Sequence, residues 1–441
     1  MRSAARFAAP PCPAERDASS LFNKLLMMAP SVQPPKNQPE AIVVGGGPVG
    51  SFAALNLAKL GAEVTVFEEH ATIGEPSHCA GHLSIRSLKN LGLYPLPGKI
   101  VENEFSGANF YSPSGAEFSV HLAGPVTCAV NRALFDEYLA EKAETSGARY
   151  CLNSRVQSLL TDNGFVKGVN VKQNDKEEKV WARIVVDAEG ISSRILRQTG
   201  LPTLDRERLV YAVEAEVESV KDVDLHAVEV FLGNEYAPGF YGWLIPRLDG
   251  TAKVGLATRK GNPKELLQKL MHKHPVASKQ LSASRITQIA FHPVSLSGPV
   301  SKAYSNGFLA CGDAASQVKP TTGGGVIFGL TCARIAAEVA SEAIKRNELS
   351  SSYLRLYQRR VEEALGFDFK FMLRARRFLD SLSDEKIDDA LRFCERVGLN
   401  KTLRNVDEID FQGRTLLQVF KKPTVLVALA YFFMLYLSAN P

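Results

Sequence analysis

Two short apolar runs lie on either side of a glycine-rich turn in the first half of the chain. Residues 41–44 form the first run, residues 45–50 form the turn, and residues 63–67 form the second run. The segment between them, residues 51–60, is predicted to be a helix. The pattern therefore predicts a strand, a turn, a helix and a second strand, which is the order found in dinucleotide-binding units.

The turn has the spacing Gly-x-Gly-x-x-Gly, with Gly45, Gly47 and Gly50 at the glycine positions and Pro48 between the last two. Glycines permit a tight turn and a close approach of the backbone to a pyrophosphate, and free N–H groups at the helix start bind phosphate. Glu68 follows about 20 residues later, where an acid accepts a hydrogen bond from a ribose hydroxyl. The turn predicts a dinucleotide site but leaves open which dinucleotide binds.

Later in the chain the hydrophobic pattern changes to one typical of antiparallel strands, and afterwards buried strands and long helices follow again. Residues 208–295 contain alternating apolar and polar positions, which indicate a largely antiparallel sheet interrupted by a helix at about 263–273. Elsewhere the pattern predicts a helix over 131–146, buried strands at 184–188 and 307–311, a long helix from 323–325 to about 345, and further helices over 350–415.

These elements predict an α/β protein in which a Rossmann-like nucleotide-binding domain carries an inserted antiparallel sheet and is followed by helices. The predicted division is a flexible tail (1–38), the first part of the nucleotide-binding domain (39–200), a substrate-binding domain (201–300), the return of the first domain (301–348) and a C-terminal helical region with an apolar tail (349–441).

The tail is rich in Ala, Pro and Ser and has no sustained hydrophobic period. Arg2 and Arg6 among many alanines suggest a transit peptide, although no apolar core of a secretory signal is present. The preferred interpretation is a flexible tail or an upstream start, with Met27 or Met28 as the true initiator.

Composition limits the possible functions. The 441 residues are 45% hydrophobic and carry a formal net charge of +5, which is too mild to suggest a nucleic-acid partner but suits an anionic membrane or a phosphorylated substrate. The seven cysteines are odd in number and scattered, which favours a reducing, cytoplasmic compartment over a disulfide framework. No Cys-x-x-Cys pair occurs, so no metal site is predicted.

The chain ends with an apolar run over 425–437 that follows Lys421 and Lys422. A transmembrane helix needs about 17–25 residues, so this run is short for a span. Either a helix packed on its own protein or an interfacial anchor with lysines at the lipid headgroups fits the pattern. Peripheral association with a membrane is the expectation that follows from the second interpretation.

Three distant turns together resemble the flavoprotein hydroxylase-type fold, as in p-hydroxybenzoate hydroxylase. They are the opening glycine turn, the segment 188–194 with Glu189 and Gly190, and the turn at Gly312 and Asp313. The resemblance implies that they hold FAD, with Asp313 on the ribitol chain and Arg132 near the ribose or pyrophosphate. One departure is visible, because that family usually has Asp where this chain has Glu189.

Two further stretches, 312–325 and 241–246, are similar to the corresponding motifs of geranylgeranyl reductases, with Ile245 replacing a Phe. The likeness extends over about residues 40–400 and is greatest to archaeal enzymes that saturate geranylgeranyl chains of ether lipids. It implies reduction of C=C bonds in digeranylgeranylglycerophospholipid. Reduction of geranylgeranyl diphosphate, chlorophyll or quinone chains remains an alternative, as do a flavin monooxygenase or halogenase and a prenyl-lipid-binding protein without catalysis.

The resemblance also assigns residues to the reaction. The backbone of Gly324, Gly325 and Val326 at a helix start would lie beside the flavin ring, and Tyr241 and Trp243 would line the path of the prenyl chain. The loop Cys79-Ala80-Gly81 matches a Cys-Gly-Gly-like loop close to the flavin, so Cys79 is a candidate for shaping the site or for proton delivery. The electron donor is left open between NAD(P)H and a ferredoxin-like protein.

Overall fold

The structure is a computed structural model and describes residues 38–439 except Asp175, Asn405 and Asp407. The predicted tail, including the alternative starts at Met27 and Met28, lies outside the described residues apart from Gln38.

The described residues form blocks of consecutive strands separated by helices, and they end in a run of helices. The strands are β1 (Ala41–Val44), β2 (Val64–Phe67), β3 (His82–Ser84), β4 (Val101–Phe105), β5 (Gly107–Tyr111), β6 (Glu117–His121), β7 (Thr127–Val130), β8 (Arg149–Cys151), β9 (Ser154–Asp162), β10 (Phe165–Gln173), β11 (Lys176–Trp181), β12 (Ile184–Asp187), β13 (Leu209–Glu218), β14 (Ala227–Leu232), β15 (Tyr241–Pro246), β16 (Ala252–Thr258), β17 (Arg285–Ser295), β18 (Tyr304–Ser305) and β19 (Phe308–Ala310). The helices are α1 (Pro48–Lys59), α2 (Ile85–Asn90), α3 (Arg132–Thr145), α4 (Arg194–Gln198), α5 (Pro263–Lys273), α6 (Ala277–Leu281), α7 (Val326–Arg346), α8 (Ser351–Asp380), α9 (Asp384–Arg396), α10 (Leu399–Leu403), α11 (Gln412–Val419) and α12 (Pro423–Ala439).

A six-stranded sheet in the order β18-β19-β12-β1-β2-β8 forms the nucleotide-binding part. Strand β1 pairs in parallel with β12 and β2, and all of its residues are buried. Continuous apolar strands are typical of parallel sheets, because helices cover both faces. The turns after β1, β12 and β19 therefore meet at one edge of the sheet, as the distant motifs predicted.

The second sheet has seven strands in the order β17-β13-β16-β15-β14-β5-β6. Its pairs are antiparallel except for β14 with β5, so the prediction of a largely antiparallel sheet is confirmed. Strands β5 and β6 come from residues 107–121, which precede the predicted bounds of 201–300. Those bounds therefore cover only part of this sheet, because the chain contributes two strands to it before the second half of the nucleotide-binding sheet forms.

The two faces of the seven-stranded sheet have different partners. On one face, Leu267 and Leu270 of α5 pack with Val213 and Ala215 of β13 in an apolar cluster. The opposite face looks toward the nucleotide-binding sheet and the C-terminal helices. The helix predicted at about 263–273 is thus confirmed as α5, and it leaves the other face of the sheet available to a cavity.

Helices α8, α9, α11 and α12 close the remaining side of this cavity. Phe369 of α8 packs edge-on against Phe328 of α7 at a centroid distance of 5.1 Å. Tyr431 of α12 stacks on Phe393 of α9 at 3.9 Å, which attaches the apolar C-terminal helix to the rest of the protein. Over the described ranges, the structure has no helix that combines the length and the hydropathy needed to cross a bilayer.

Candidate active site

A cavity of about 2020 Å³ lies between the two sheets and extends to the C-terminal helices. It exceeds the roughly 300–1,000 Å³ typical of small-molecule sites. Its walls include the glycine turn after β1, the loop over residues 70–81, the loop over 312–325 and the inner face of the seven-stranded sheet. Helices α8, α9 and α12 complete the far end.

The three glycines of the first turn are required for different reasons. Gly45 has φ +96°, and a Cβ there would lie 2.5 Å from the carbonyl oxygen of Ala188. A Cβ on Gly50 would lie 1.9 Å from the carbonyl oxygen of Gly45, so the turn closes on itself at this point. Gly47 has no atom within 4 Å of its Cβ position and faces the cavity.

Helix α1 begins at Pro48, and no side chain caps its first turn. Its free N–H groups therefore point to the open space at Gly47, where a side chain is missing and a phosphate fits. This cradle fits the pyrophosphate of a dinucleotide, as the sequence pattern predicted.

Glu68 ends β2 beside the same turn. Its Oε2 accepts a hydrogen bond of 2.7 Å from the Gly46 amide, and its Oε1 accepts one of 2.9 Å from the His70 amide and lies 2.6 Å from Nδ1 of that histidine. Carboxylate oxygens accept more than one hydrogen bond, so these contacts fix the side chain and leave acceptor capacity. The position agrees with the predicted contact to a ribose hydroxyl, which stays a prediction.

Arg132 and Asp313 both line the cavity and interact electrostatically. Arg132 opens α3 and makes a bidentate ion pair with Asp136, with its closest contact at 3.0 Å. Burial acts to lower the pKa of Arg132, but Asp136 and the nearby Cys79 raise it above its usual range. Burial raises the pKa of Asp313, and Arg132 opposes that shift. The guanidinium is therefore permanently charged and close to both Cys79 and Asp313.

The unusual Glu189 has a structural explanation. Its carboxylate accepts hydrogen bonds from the Ile195 amide and, at 2.8 Å, from the Ser192 hydroxyl, so it turns back to the N-terminal end of α4.

Asp187 is buried more deeply than Glu189, and its Oδ1 accepts a 3.1 Å bond from the Glu189 amide. Its Oδ2 has no hydrogen-bond partner within the described chain, and burial raises its pKa well above the usual range. Gly190 follows with φ +77° and lines the cavity.

The loop that carries Cys79 is fixed by a buried lysine from the other sheet. Nζ of Lys253 donates to the carbonyl oxygens of Ala80 at 3.2 Å and Val130 at 3.0 Å, and to the Glu102 carboxylate at 2.7 Å. Lys253 is only 4% exposed. The seven-stranded sheet therefore sets the position of the Cys79 loop, and Cys79 itself is exposed to the cavity.

Two other contacts hold this loop. Gly81 has φ +70°, and a Cβ there would lie 2.3 Å from the carbonyl oxygen of Val130, so this loop position requires glycine. The His78 ring stacks on His292 of β17 with a centroid distance of 4.6 Å. Burial, followed by the charges of His292 and Arg132, lowers the pKa of His78 to about 4, so the stacked pair is neutral at neutral pH.

The glycines before α7 present bare backbone to the cavity, as predicted. A Cβ on Gly325 would lie 2.8 Å from Oδ1 of Asp313, and one on Gly324 would lie 2.7 Å from Cε of Lys319. Helix α7 then begins at Val326 without a side-chain cap. Lys319 makes an ion pair with Asp410, so a residue from the C-terminal region neutralises the charge that precedes the glycines.

Tyr241 and Trp243 lie two residues apart on β15, on the face of the sheet that lines the cavity. The Tyr241 hydroxyl donates a 2.8 Å bond to the carbonyl of Thr322, which connects the sheet to the glycine loop. The two rings meet edge-on at 6.0 Å. The Trp243 ring lies over Gly255 of β16, where a Cβ would approach it to 2.4 Å, and its Nε1–H donates to Oε2 of Glu214 at 3.2 Å.

The structure brings every predicted site residue to the wall of this cavity except Gly50, which lies in the turn below it. Sequence reasoning missed several polar residues that also contact the site, namely Glu214, Lys253, His292, Arg376 and Asp410. Two of them have a local signal: Lys253 is the one charged residue of the otherwise apolar β16, and Glu214 is the first of three acids that alternate with apolar residues along β13. The others reach the cavity through pairings between distant parts of the chain.

Comparison with known proteins agrees with this geometry. The sequence profile of the FAD binding domain family matches residues 38–354. A digeranylgeranylglycerophospholipid reductase of Methanopyrus kandleri is 34% identical over 393 residues, which cover 88% of this chain and 97% of that protein. A relative with the same name from Methanocaldococcus jannaschii is 33% identical over 390 residues, covering 88% of this chain and 96% of that protein.

Among solved structures, a geranylgeranyl bacteriochlorophyll reductase-like protein from Thermoplasma acidophilum superposes with a TM-score of 0.80 at 27% identity, covering 90% of this chain and 99% of that one. The matched domain confirms FAD as the cofactor, and the residues around the glycine cradle fit it. The chain belongs to the digeranylgeranylglycerophospholipid reductase family of FAD-binding flavoproteins.

Proposed function

We propose that this protein saturates the C=C bonds of geranylgeranyl chains on digeranylgeranylglycerophospholipid. The observation that carries the proposal is one continuous cavity, which joins the FAD cradle at Gly47 to an apolar wall at Tyr241 and Trp243. When bound, FAD supplies the hydride equivalent that reduction of an alkene requires. The names of the relatives support the lipid as the substrate.

The residues proposed for cofactor binding are those whose side chains or backbone surround the cradle. They are Gly45, Gly47, Pro48, Gly50, Glu68, Cys79, Ala80, Gly81, Arg132, Glu189, Gly190, Asp313, Gly324, Gly325 and Val326. Cys79, Tyr241 and Trp243 are proposed to contact the reacting alkene. An isolated alkene has no carbonyl that the enzyme can polarise, so its positioning is the main contribution expected of these side chains.

The path of the prenyl chain is proposed to run from Trp243 toward the C-terminal helices. Beyond the tryptophan, the cavity wall is formed by Phe110 of β5, Leu391 of α9 and Phe432 of α12, which share one apolar cluster. Such a wall excludes water and offers no hydrogen-bond partner. It suits a long hydrocarbon chain that must keep its unreduced bonds away from solvent.

The rim of the cavity favours a substrate with a phosphate. Arg374 and Arg377 lie one turn apart on α8, are exposed and line the cavity, beside Phe378, which contacts α12. The neighbouring Arg376 differs, because it is buried and paired with Asp380 at 2.7 Å. Two charged arginines at the mouth of an apolar cavity complement a lipid with an anionic head rather than a neutral quinone.

The test is anaerobic incubation of the chemically reduced holoprotein with digeranylgeranylglycerophospholipid, followed by mass spectrometry. We expect the lipid to gain the mass of two hydrogens for each double bond reduced. The same diether without its phosphate should react with a kcat/KM about tenfold lower, because it lacks a charge-assisted contact. A lipid of unchanged mass would refute the proposed reaction.

A variant tests the phosphate contact separately. The double substitution Arg374→Gln with Arg377→Gln should lower kcat/KM for the phospholipid and leave the phosphate-free lipid unaffected. Arg355→Gln is the matched control, since Arg355 is exposed on the same helix and lies outside the cavity. Equal losses for both lipids would show that the arginines do not recognise the phosphate.

Peripheral membrane association is proposed from the surface beside the cavity mouth. Phe433 and Met434 of α12 are 62% and 60% exposed, and Phe433 also lines the cavity. Lys421 and Lys422 precede this helix and are exposed. Exposed apolar side chains next to lysines are typical of interfacial helices on anionic lipids, and this placement would open the cavity toward the bilayer.

Co-sedimentation with vesicles of anionic phospholipid measures this association. The double variant Phe433→Asp with Met434→Asp should bind at least about tenfold more weakly, and binding of the natural protein should weaken as salt is added. Phe291→Asp is the control, because Phe291 is 54% exposed on the edge strand β17. Unchanged vesicle binding in the α12 variant would exclude this helix as the contact.

The electron donor is proposed to be NAD(P)H or a ferredoxin-like protein that reduces the bound FAD. Anaerobic mixing of the holoprotein with each donor, followed by flavin absorbance, distinguishes them. Failure of both to bleach the flavin would exclude both candidates.

A further inference from the structure

The inner face of the seven-stranded sheet carries a row of four residues at matching register positions. Trp243 of β15 pairs with Gly255 of β16, Gly255 pairs with Glu214 of β13, and Glu214 pairs with Ala290 of β17. The neighbours on both sides of Glu214 are therefore small. Its carboxyl group is open to the cavity on one side and is reached by the Trp243 indole, which lies over Gly255.

Glu214 also lies between two cavities whose walls differ in polarity. The large one has the mainly apolar walls described above, and a second cavity of about 930 Å³ lies behind the Cys79 loop. The second is lined by polar and charged groups that include Glu102, Glu216 and Arg247. Glu214 lines both cavities, so one carboxyl group connects an apolar site with a polar space suited to water.

The charged groups around Glu214 are already paired with other residues. Lys253 of β16 donates to Glu102 of β4 at 2.7 Å. Arg247, which follows β15, donates to Glu216 of β13 at 2.6 Å and lies 3.0 Å from Glu102. From the cofactor side, Cys79 and Arg132 line both cavities as well. This leaves Glu214 with the indole N–H as its only direct hydrogen-bond donor among the described residues.

The protonation of Glu214 follows from this environment. Burial raises its pKa to about 7, although Lys253 and the hydrogen bond from Trp243 act to lower it. A carboxyl group near the operating pH is suited to general acid catalysis, because it is protonated often and gives up its proton readily.

We propose that Glu214 is the proton donor for alkene saturation, a role that rests on the proposed function. One alkene carbon receives the hydride equivalent supplied by the reduced cofactor, and its neighbour receives the proton from the Glu214 carboxyl group. The π bond breaks, two C–H bonds form, and the cofactor is oxidised by two electrons. The resulting Glu214 carboxylate regains a proton from bulk solvent through the second cavity, which restores the acid.

The first test is Glu214→Gln, which keeps the size of the side chain and its acceptor oxygen for Trp243. We expect kcat to fall by about 100-fold or more, with KM and the FAD dissociation constant little changed. In the natural protein, kcat should decline as the pH rises above about 7, since the acid form of Glu214 is lost there. Glu218→Gln, four residues along the same strand, is the control and should keep the natural kcat, because Glu218 pairs with Arg285 at 2.6 Å and lines neither cavity.

A second test does not depend on activity. The chain has two tryptophans, and Trp181 is an exposed residue on β11, so Trp181→Phe leaves Trp243 as the single tryptophan, which is excited at wavelengths that the tyrosines do not absorb. Its fluorescence should titrate with a midpoint near pH 7, and this transition should vanish when Glu214→Gln is added. Failure of the lipid reaction in the natural protein would refute the proposed function and leave this titration interpretable.

Three outcomes would overturn the assignment. They are an unchanged kcat in Glu214→Gln, a fluorescence transition that persists in that variant, and a loss of the pH dependence of kcat in Cys79→Ser instead. The last result would make Cys79 the donor.

Discussion

Gly47→Ala is expected to leave the protein folded and to weaken FAD binding by about 10- to 100-fold. A Cβ at Gly47 meets no atom within 4 Å, so the fold has room for it. That room belongs to the cradle at the start of α1, and a methyl group there would hold the pyrophosphate away from the helix N–H groups. Steric interference of this kind costs about 1–3 kcal/mol, and each 1.4 kcal/mol is about tenfold in affinity.

Gly50→Ala in the same motif should destabilise the fold itself. Its Cβ would lie 1.9 Å from the Gly45 carbonyl oxygen, and no side-chain rotation can relieve this contact because both atoms are fixed by the backbone. We expect the free energy of unfolding to fall by about 3 kcal/mol or more, with little soluble protein obtained.

Thermal unfolding and titration of the apoprotein with FAD measure the two effects separately. Gly124→Ala is the control, because its Cβ position is also open but lies away from the cavity. The explanation fails if Gly47→Ala binds FAD normally, or if Gly50→Ala is as stable as the natural protein.

Trp243→Ala should keep FAD and lose about 100-fold or more in kcat/KM for the lipid. The indole forms the wall of the cavity over Gly255, is oriented by its bond to Glu214, and meets the Tyr241 ring at 6.0 Å. Its removal opens a gap in which the alkene can shift, and a displacement of about 1 Å can cost about 100-fold in rate. The FAD cradle lies on the other sheet and should be unaffected.

Steady-state kinetics with the phospholipid and flavin absorbance of the purified variant provide the two measurements. Trp181→Ala is the matched control, since this tryptophan is exposed on β11, away from the cavity. Unchanged turnover in Trp243→Ala would mean that this residue only packs against Gly255 and Tyr241.

The effects at Gly47 and Gly50 arise from contacts that are close in sequence, whereas the effect at Trp243 arises from contacts between distant residues. The effects at Gly47 and Gly50 follow from one motif, because a helix start and a turn are determined by neighbouring residues. The effect at Trp243 depends on Gly255 and Glu214, which lie 12 residues after it and 29 residues before it along the chain. Strand register places these three residues side by side, and register is a property of the whole sheet.

Local sequence patterns predict the dinucleotide cradle, the α/β order, the helices α3 and α5, and the long helix α7 after the triple glycine. Each depends on contacts within a few residues, such as the Asn131 side chain that accepts from the Leu134 amide and begins α3. The sequence shows Glu189 to be unusual at its position, but its bond to the Ile195 amide depends on the geometry of the turn into α4.

Which polar side chains line the cavity depends on contacts between distant parts of the chain. Lys253 reaches the Ala80 carbonyl across 173 residues of sequence, and Asp410 reaches Lys319 across 91. Strands β5 and β6 likewise join a sheet whose other strands follow much later in the chain. Such pairings are fixed by burial of apolar surface and by hydrogen bonds between distant strands, for which a single sequence carries no local pattern.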